Sequence, residues 1–204
     1  MQNPCTENSP CKTSLRRQLR TYRRALSPAH QRRAALRLAR NFLHLPALKQ
    51  ARSFALYIAS DGEIDPSVLL KRLTAMGKQI YLPRLNRAAT AMQFVRFKAG
   101  EPLQRSRLGV LQPAPGAGAI ALHRLDIVAL PLVGFDGLGN RLGMGGGFYD
   151  RALQARGRRP LLVGLAHAGQ QLARLPVEPW DVPLDWIATD RRLLRCPPVR
   201  RLMG

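Results

Sequence analysis

The chain has 204 residues, long enough for one domain whose core needs neither disulfides nor metals. Its apolar fraction of 46% excludes wholesale disorder. Thirty-three Lys and Arg against twelve Asp and Glu give a net charge of +21, a field that favours anionic partners such as nucleic acid, nucleotides or polycarboxylates.

Residues 1–11 are polar, carry two prolines and read as a loose N-terminal tail. No apolar stretch there has the character of a secretory signal, and no run in the chain approaches membrane-span length. A cytoplasmic protein without a membrane partner is expected. Cys5, Cys11 and Cys196 form no closely spaced ligand pair, which argues against zinc, and an odd, sparse count suits a reducing compartment. From Lys12 the pattern turns helical, with Leu15, Leu19, Tyr22 and Leu26 on one face. The arginines between them read as a solvated face. Ser27–Pro28 reads as an N-cap with proline at the first helical position, opening a helix to about His44.

Ser53–Ser60 is a short apolar run of strand type, followed by the turn "DGEIDP". Asp65 and Pro66 then open a helix with Val68, Leu69, Leu70 and Leu73 on its apolar side, ended by Gly77. Lys78–Pro83 reads as the next strand, so this segment has the βαβ pattern of a parallel sheet. Ala91–Phe97 alternates like an edge strand, and residues 98–118, rich in Gly, Pro and Ala, read as loop. Asp126–Val133 and Pro160–Ala166 are continuous apolar runs of buried central strands. A helix is expected from Phe148 to about Ala155, and Asp185–Asp190 reads as the last strand. The result is a single α/β domain over residues 12–195 with a C-terminal tail at 196–204.

"GFDGLGNRLGMGGGFYDR", Gly134 to Arg151, lies between a buried strand and a helix. Loops at the carboxyl ends of strands form the ligand crevice of open α/β sheets. Glycine lets the backbone approach a ligand, and successive N–H groups make a nest for anions at a helix start. Gly143, Gly145, Gly146 and Gly147 fit a phosphate there, and Arg141 adds a bidentate charge contact. Asp150 beside a phosphate implies an intervening cation, for which Mg²⁺ is suited. Neither the P-loop pattern nor GxGxxG is present.

"RLGMGGGFYDR", Arg141 to Arg151, closely resembles the signature of the 5-formyltetrahydrofolate cyclo-ligase family, also called methenyltetrahydrofolate synthetases. "KTSLR", "YIASDGEIDP", "YLPR", "DIVALPLVGFD", "VGLAHAGQ" and "LPVEPWDVPLD" resemble further family elements in the same order, from about Lys12 to Thr189. The resemblance implies a Rossmann-like, mainly parallel sheet flanked by helices, of the NagB/RpiA/CoA-transferase-like kind. It also implies conversion of 5-formyltetrahydrofolate to 5,10-methenyltetrahydrofolate, and the strong positive charge suits the polyglutamate tail of cellular folates as well as ATP. ATP would be the co-substrate and Mg²⁺ the cofactor, in a monomeric protein. Its ATP contacts would fall on Lys12, Thr13, Ser14, Leu15, Arg16 and the loop Arg141, Leu142, Gly143, Met144, Gly145, Gly146, Gly147, Phe148 and Tyr149. Folate contacts would fall on Ile58, Glu63, Met144, Gly145, Gly146, Gly147 and Phe148. The magnesium carboxylates would be Asp150 and Asp181, with Arg141 and Asp150 acting in catalysis. Departures from the family pattern are Gln112 where Glu is common, Leu108 where relatives carry an aromatic, and Gly146 where some carry Lys.

Several residues have plainer readings. His167 is expected to be a satisfied structural histidine, Asp126 a loop or cap residue, Asp136 a turn former rather than an outer partner that orients a magnesium ligand, and Trp180 a packing residue. For Tyr149, ring stacking and packing stay equally open. The alternative function, a basic nucleic-acid-binding protein without catalysis, calls for clustered basic residues interleaved with exposed aromatics. Here aromatics are scarce and basic residues spread along the whole chain, so no nucleic-acid partner is expected.

Overall fold

The computed structural model describes residues 11–86, 88–116, 118–154 and 160–198. Residues 1–10 of the expected N-terminal tail, residues 199–204 of the C-terminal one and the expected helix end at Ala155 lie outside them. α1 (Lys12–Arg24) comes first, and α2 (Pro28–Phe42) starts where the Ser-Pro pair places it, the Ser27 hydroxyl accepting from the His30 N–H. β1 (Ser53–Ala55), α3 (Ser67–Ala75) and β2 (Gln79–Leu85) form the expected βαβ unit. β3 (Met92–Phe97), β4 (Leu103–Arg105), β5 (Leu111–Pro113), β6 (Ala119–Ile120) and β7 (Ile127–Pro131) follow. The glycine stretch folds as a small hairpin of β8 (Gly134–Phe135) and β9 (Arg141–Leu142) before entering α4 (Phe148–Leu153). β10 (Leu161–Ala166), β11 (Trp186–Thr189) and β12 (Leu193–Arg195) complete the sequence of elements.

The main sheet has the order β12-β11-β10-β7-β1-β2-β3-β6. Five consecutive strands, β11 to β2, are parallel; β12 pairs antiparallel on one side, and on the other β3 pairs antiparallel with β2 and β6 antiparallel with β3. β7 and β10 lie in the middle and are buried on both faces, which is why each reads as an unbroken apolar run. Ile127, Ala129, Val163 and Leu165 pack with Leu38 and Phe42 of α2 and Leu69 and Leu73 of α3. Val128, Leu130, Leu162 and Ala166 face the other way, with Leu153 of α4 and Phe94. α1 belongs to neither layer. It packs Leu15 and Leu19 on Val133, Leu142 and Leu175, beyond the carboxyl end of β7.

Several expectations need correction. The third buried turn of α1 presents Arg23, not Tyr22; Arg23 is fully buried and Tyr22 is exposed, its hydroxyl lying over Gly169, where there is no side chain to obstruct it. The strand expected over Ser53–Ser60 pairs only through Ala55, because after the Leu56 N–H bond to the Tyr81 carbonyl the chain leaves the ladder. Residues 98–118 are not all loop. Leu103–Arg105 pair with Leu111–Pro113, and the turn-forming residues concentrate at Ser106–Gly109. Asp185–Asp190 is not the last strand, since β12 pairs at its edge. Cys196, assigned to the C-terminal tail, is buried in the core beside Leu184 and Ile187. α3 begins at Ser67 rather than Pro66, with Asp65 accepting from the Ser67 N–H and hydroxyl, both at 2.8 Å.

His167 is fully buried at the end of β10, and its ring centroid lies 6.0 Å from that of His30. Burial depresses its pKa from 6.5 to about 4, against a weaker opposite effect of Asp190. The folded protein therefore binds the proton more weakly than the unfolded chain. Stability is full above pH 6.5 and falls as pH drops from there toward about 4. His167→Met is expected to flatten that slope in urea unfolding measured as a function of pH, and an unchanged slope would assign it to other groups.

Candidate active site

The site lies where the carboxyl ends of β1 and β7, the start of α1 and the loop into α4 meet. Lys12 Nζ donates to Asp181 Oδ2 at 2.7 Å, with Glu178 Oε1 at 3.9 Å. Arg16 Nε donates to the Gly143 carbonyl at 2.9 Å. The Arg141 guanidinium donates to Asp150 Oδ1 at 2.5 Å and to the Val182 carbonyl. Burial lowers the Arg141 pKa, opposed by the Asp150 and Asp181 carboxylates. The two carboxylates assigned to magnesium, far apart in sequence, thus both act on one guanidinium. Asp181 also accepts from the Glu178 N–H at 2.9 Å, which fixes it in a tight turn.

The loop itself supplies backbone rather than side chains. Gly145 and Gly147 hold φ of +101° and +62°, the left-handed region where a Cβ is penalised, and Gly147 is the residue that opens α4. Met144 and Gly145 are exposed. Leu15 and Leu142, placed among the nucleotide contacts, turn their side chains into the core, so only their backbones face the site. Thr13 and Ser14 are exposed on the first turn of α1. A Cβ at Gly146 would come within 2.8 Å of the Phe148 ring, so a side chain at 146 and this placement of Phe148 exclude one another.

Across the loop stand the residues assigned to folate. Ile58 is half-buried at the exit of β1. Glu63 follows the Asp61–Gly62 turn, and its Oε2 accepts from the Ser60 N–H at 3.0 Å. Burial raises the Glu63 pKa, while the Ser60 N–H and Arg23 act against that rise. Tyr149 lies within the electrostatic reach of both Glu63 and Arg141, and burial raises its pKa. It therefore occupies the junction between the folate-assigned and ATP-assigned groups. Gln112 is buried and accepts from the Leu85 N–H at 3.0 Å, and Leu108 is exposed at the β4–β5 turn.

Sequence reasoning missed Arg23, whose environment is described below, because one more arginine in an arginine-rich helix carries no distinguishing signal. It also misjudged Trp180, which is 60% exposed beside Asp181 rather than packed. Asp136 is a turn former: fully buried, it accepts from the Leu138, Asn140 and Leu175 N–H groups and from Asn140 Nδ2, at 2.9 to 3.1 Å. Asp126 caps β1, accepting from the Arg52 and Ser53 N–H groups. A cavity of about 310 Å³ lined by Met92, Phe94, Ile120, Leu122 and Ala152 adjoins α4 but holds none of these charged groups.

The model of the 5-formyltetrahydrofolate cyclo-ligase family matches residues 8–190. The chain belongs to that family. It is 38% identical to the 5-formyltetrahydrofolate cyclo-ligase of Haemophilus influenzae, over 87% of this chain and 96% of the relative. It is 37% identical to the Escherichia coli K12 cyclo-ligase, over 86% and 98%. The solution NMR structure of 5,10-methenyltetrahydrofolate synthetase from Aquifex aeolicus superposes with a TM-score of 0.79 at 30% identity, over 95% of this chain and 96% of that one. Family membership makes the chain an enzyme of folate metabolism with the mainly parallel α/β fold described above. No helix among the described residues is long and apolar enough to cross a membrane.

Removing the Asp136 carboxylate leaves several buried donors unpaired, so Asp136→Ala is expected to lower the unfolding free energy by about 3 kcal/mol or more. Urea denaturation measures this, and a near-neutral result would contradict the turn-forming role.

Proposed function

We propose that this cyclo-ligase converts 5-formyltetrahydrofolate and ATP to 5,10-methenyltetrahydrofolate, ADP and phosphate. The observation that carries the reading is the convergence of Lys12, Arg16 and Arg141 with two carboxylates on one glycine loop, in a chain of this family. A formamide oxygen is a poor leaving group, so it first takes the γ-phosphoryl group as ADP departs. N10 of the folate then attacks the activated carbon, loses its proton, and the C–O bond breaks to release phosphate.

The protein's part is orientation and charge neutralisation. The loop amides of Gly143 to Gly147 cradle phosphate oxygens, and Lys12, Arg16 and Arg141 neutralise them. Glu63 accepts from N–H groups of the pterin ring, with Ile58, Met144 and Phe148 against its faces. Asp150 and Asp181 suit Mg²⁺, which takes one or two carboxylates and completes its shell with substrate phosphates and water. Bound there, the ion would offset charge on the transferring phosphoryl group. Lys12 and Arg141 now hold those two carboxylates, so they are the cations free to turn to the phosphates when the carboxylates take a metal. The exposed Trp180 beside Asp181 gives a fluorescent reporter of nucleotide binding. A cytoplasmic, monomeric enzyme acting on polyglutamylated folate completes the reading, with the sparse cysteines and basic surface in its support.

With 5-formyltetrahydrofolate, Mg²⁺ and ATP, the methenyl product is expected as a rising near-ultraviolet absorbance band. No ATP-dependent rise would overturn the function. Asp150→Asn, which keeps an oxygen acceptor for Arg141, is expected to fold normally, to lose at least about a hundredfold in turnover, and to lose the Mg²⁺ dependence of ATP-induced Trp180 fluorescence change. Full turnover in that variant would remove Asp150 from the metal role.

A further inference from the structure

Arg23 is the fully buried cation of α1, and its donors reach four places at once. Nε donates to the Asp61 carbonyl at 2.8 Å and Nη1 to the Leu132 carbonyl at 3.3 Å. Nη2 donates to Asp61 Oδ2 at 2.7 Å and to Met144 Sδ at 3.4 Å, and lies 3.9 Å from Glu63 Oε1. Asp61 is shared with Arg20 and Arg24, so three guanidiniums meet one carboxylate. A buried guanidinium without full neutralisation is costly. The next anion within reach is Glu63, whose side chain is only 8% exposed. Glu63 and Met144 come from separate segments, the turn after β1 and the glycine loop, and Arg23 touches or faces both.

We propose that Arg23 is a positioning residue of the folate pocket, whose buried guanidinium sets the Glu63 carboxylate and the Met144 side chain in register with α1. The inference rests on the reading of Glu63 and Met144 as folate contacts given above. A purely structural anchor would need only the Asp61 and Leu132 bonds. The contacts toward Met144 and Glu63 point at substrate instead. The charged and titratable groups that face Glu63 are Arg23 from α1, Asp61 in its own turn, Tyr57 leaving β1 and Tyr149 on α4. Arg23 is the cation among them. Removing it raises the Glu63 pKa, so the ionised form is lost at a higher pH.

The test compares Arg23→Met, Arg23→Lys and Glu63→Gln in the full chain, with thermal melts, substrate-specific KM values, direct 5-formyltetrahydrofolate binding by calorimetry, and the pH profile of kcat/KM. Arg23→Met is expected to weaken folate binding about tenfold or more, as for removal of one partner of a buried charge pair, with KM for ATP within about twofold. Its acid limb should move to higher pH, whereas Arg23→Lys should keep the limb near its original position with an intermediate folate affinity. Glu63→Gln should remove the limb. A folded Arg23→Met with equal changes in both KM values, or an unmoved acid limb, overturns the proposal. If Arg23→Met does not fold, the split between folate and ATP in Arg23→Lys decides, and equal changes there overturn it too. Should Glu63→Gln leave folate affinity intact, the folate role of Glu63 falls. Should Glu63→Gln weaken folate while the Arg23 variants do not, the positioning role of Arg23 alone falls.

Discussion

The Asp61 carboxylate fixes α1 against the sheet, and α1 carries much of the candidate site. Burial alone would raise the Asp61 pKa, but hydrogen bonds from Arg20, Arg23 and Arg24 overrule it and hold the group well below the carboxylate range. Asp61 and Gly62 have φ of +52° and +73°, and the Glu63 N–H closes the turn onto the Ser60 carbonyl at 2.9 Å. Two successive left-handed residues make a type I′ turn, for which Asp-Gly is a favoured pair. A Cβ at Gly62 would lie 2.8 Å from the Arg23 carbonyl, so the helix backbone rests directly on the turn.

That contact sets a distance as well as an orientation. Arg23 lies eleven residues after Lys12 on the same helix, a rise of about 16 Å. One end of α1 therefore addresses Glu63 and Met144, and the other addresses Asp181. Between them Arg16 reaches the Gly143 carbonyl. The helix gauges the separation of the two substrate regions of the proposed reaction. Leu15 and Leu19, packed on Val133 and Leu142, supply the apolar part of its attachment.

What was legible in the sequence follows from where burial is symmetric. β7 and β10 are covered on both faces and read as apolar runs, and the Ser27–Pro28 start of α2 is a local signal that needs no tertiary context. The glycine loop was legible because φ > 0 and close packing leave few other choices of residue. The β4–β5 hairpin was not, since three-residue strands among Gly and Pro leave no periodicity to detect. α1 was read one position out of phase: Leu15, Leu19 and Tyr22 make a plausible stripe, but tertiary contacts bury Arg23. A buried arginine is satisfied by partners from distant segments, Asp61, Leu132 and Met144, and no local pattern announces them.

The composition draws attention to the arginines, yet the acids are the more informative residues. Exposed arginines such as Arg32, Arg33, Arg37 and Arg40 of α2 account for part of the surplus and lie outside the site. Every acidic residue of the described chain that lies away from the site accepts a backbone N–H: Asp65 from Ser67, Glu101 from Lys98, Asp126 from Ser53, Asp136 from Leu138, Asp185 from Leu162 and Asp190 from Ala168. Those six hold turns and strand ends. The other five, Asp61, Glu63, Asp150, Glu178 and Asp181, each lie within 4 Å of a lysine or arginine nitrogen around the glycine loop. The large positive field is thus a property of the surface, while the site is a region of nearly balanced, paired charge. Pairing is what allows Asp150 and Asp181 to sit beside the loop proposed to receive phosphate: each is paired in the protein alone, and Arg141 and Lys12 are close enough to turn to a bound anion instead.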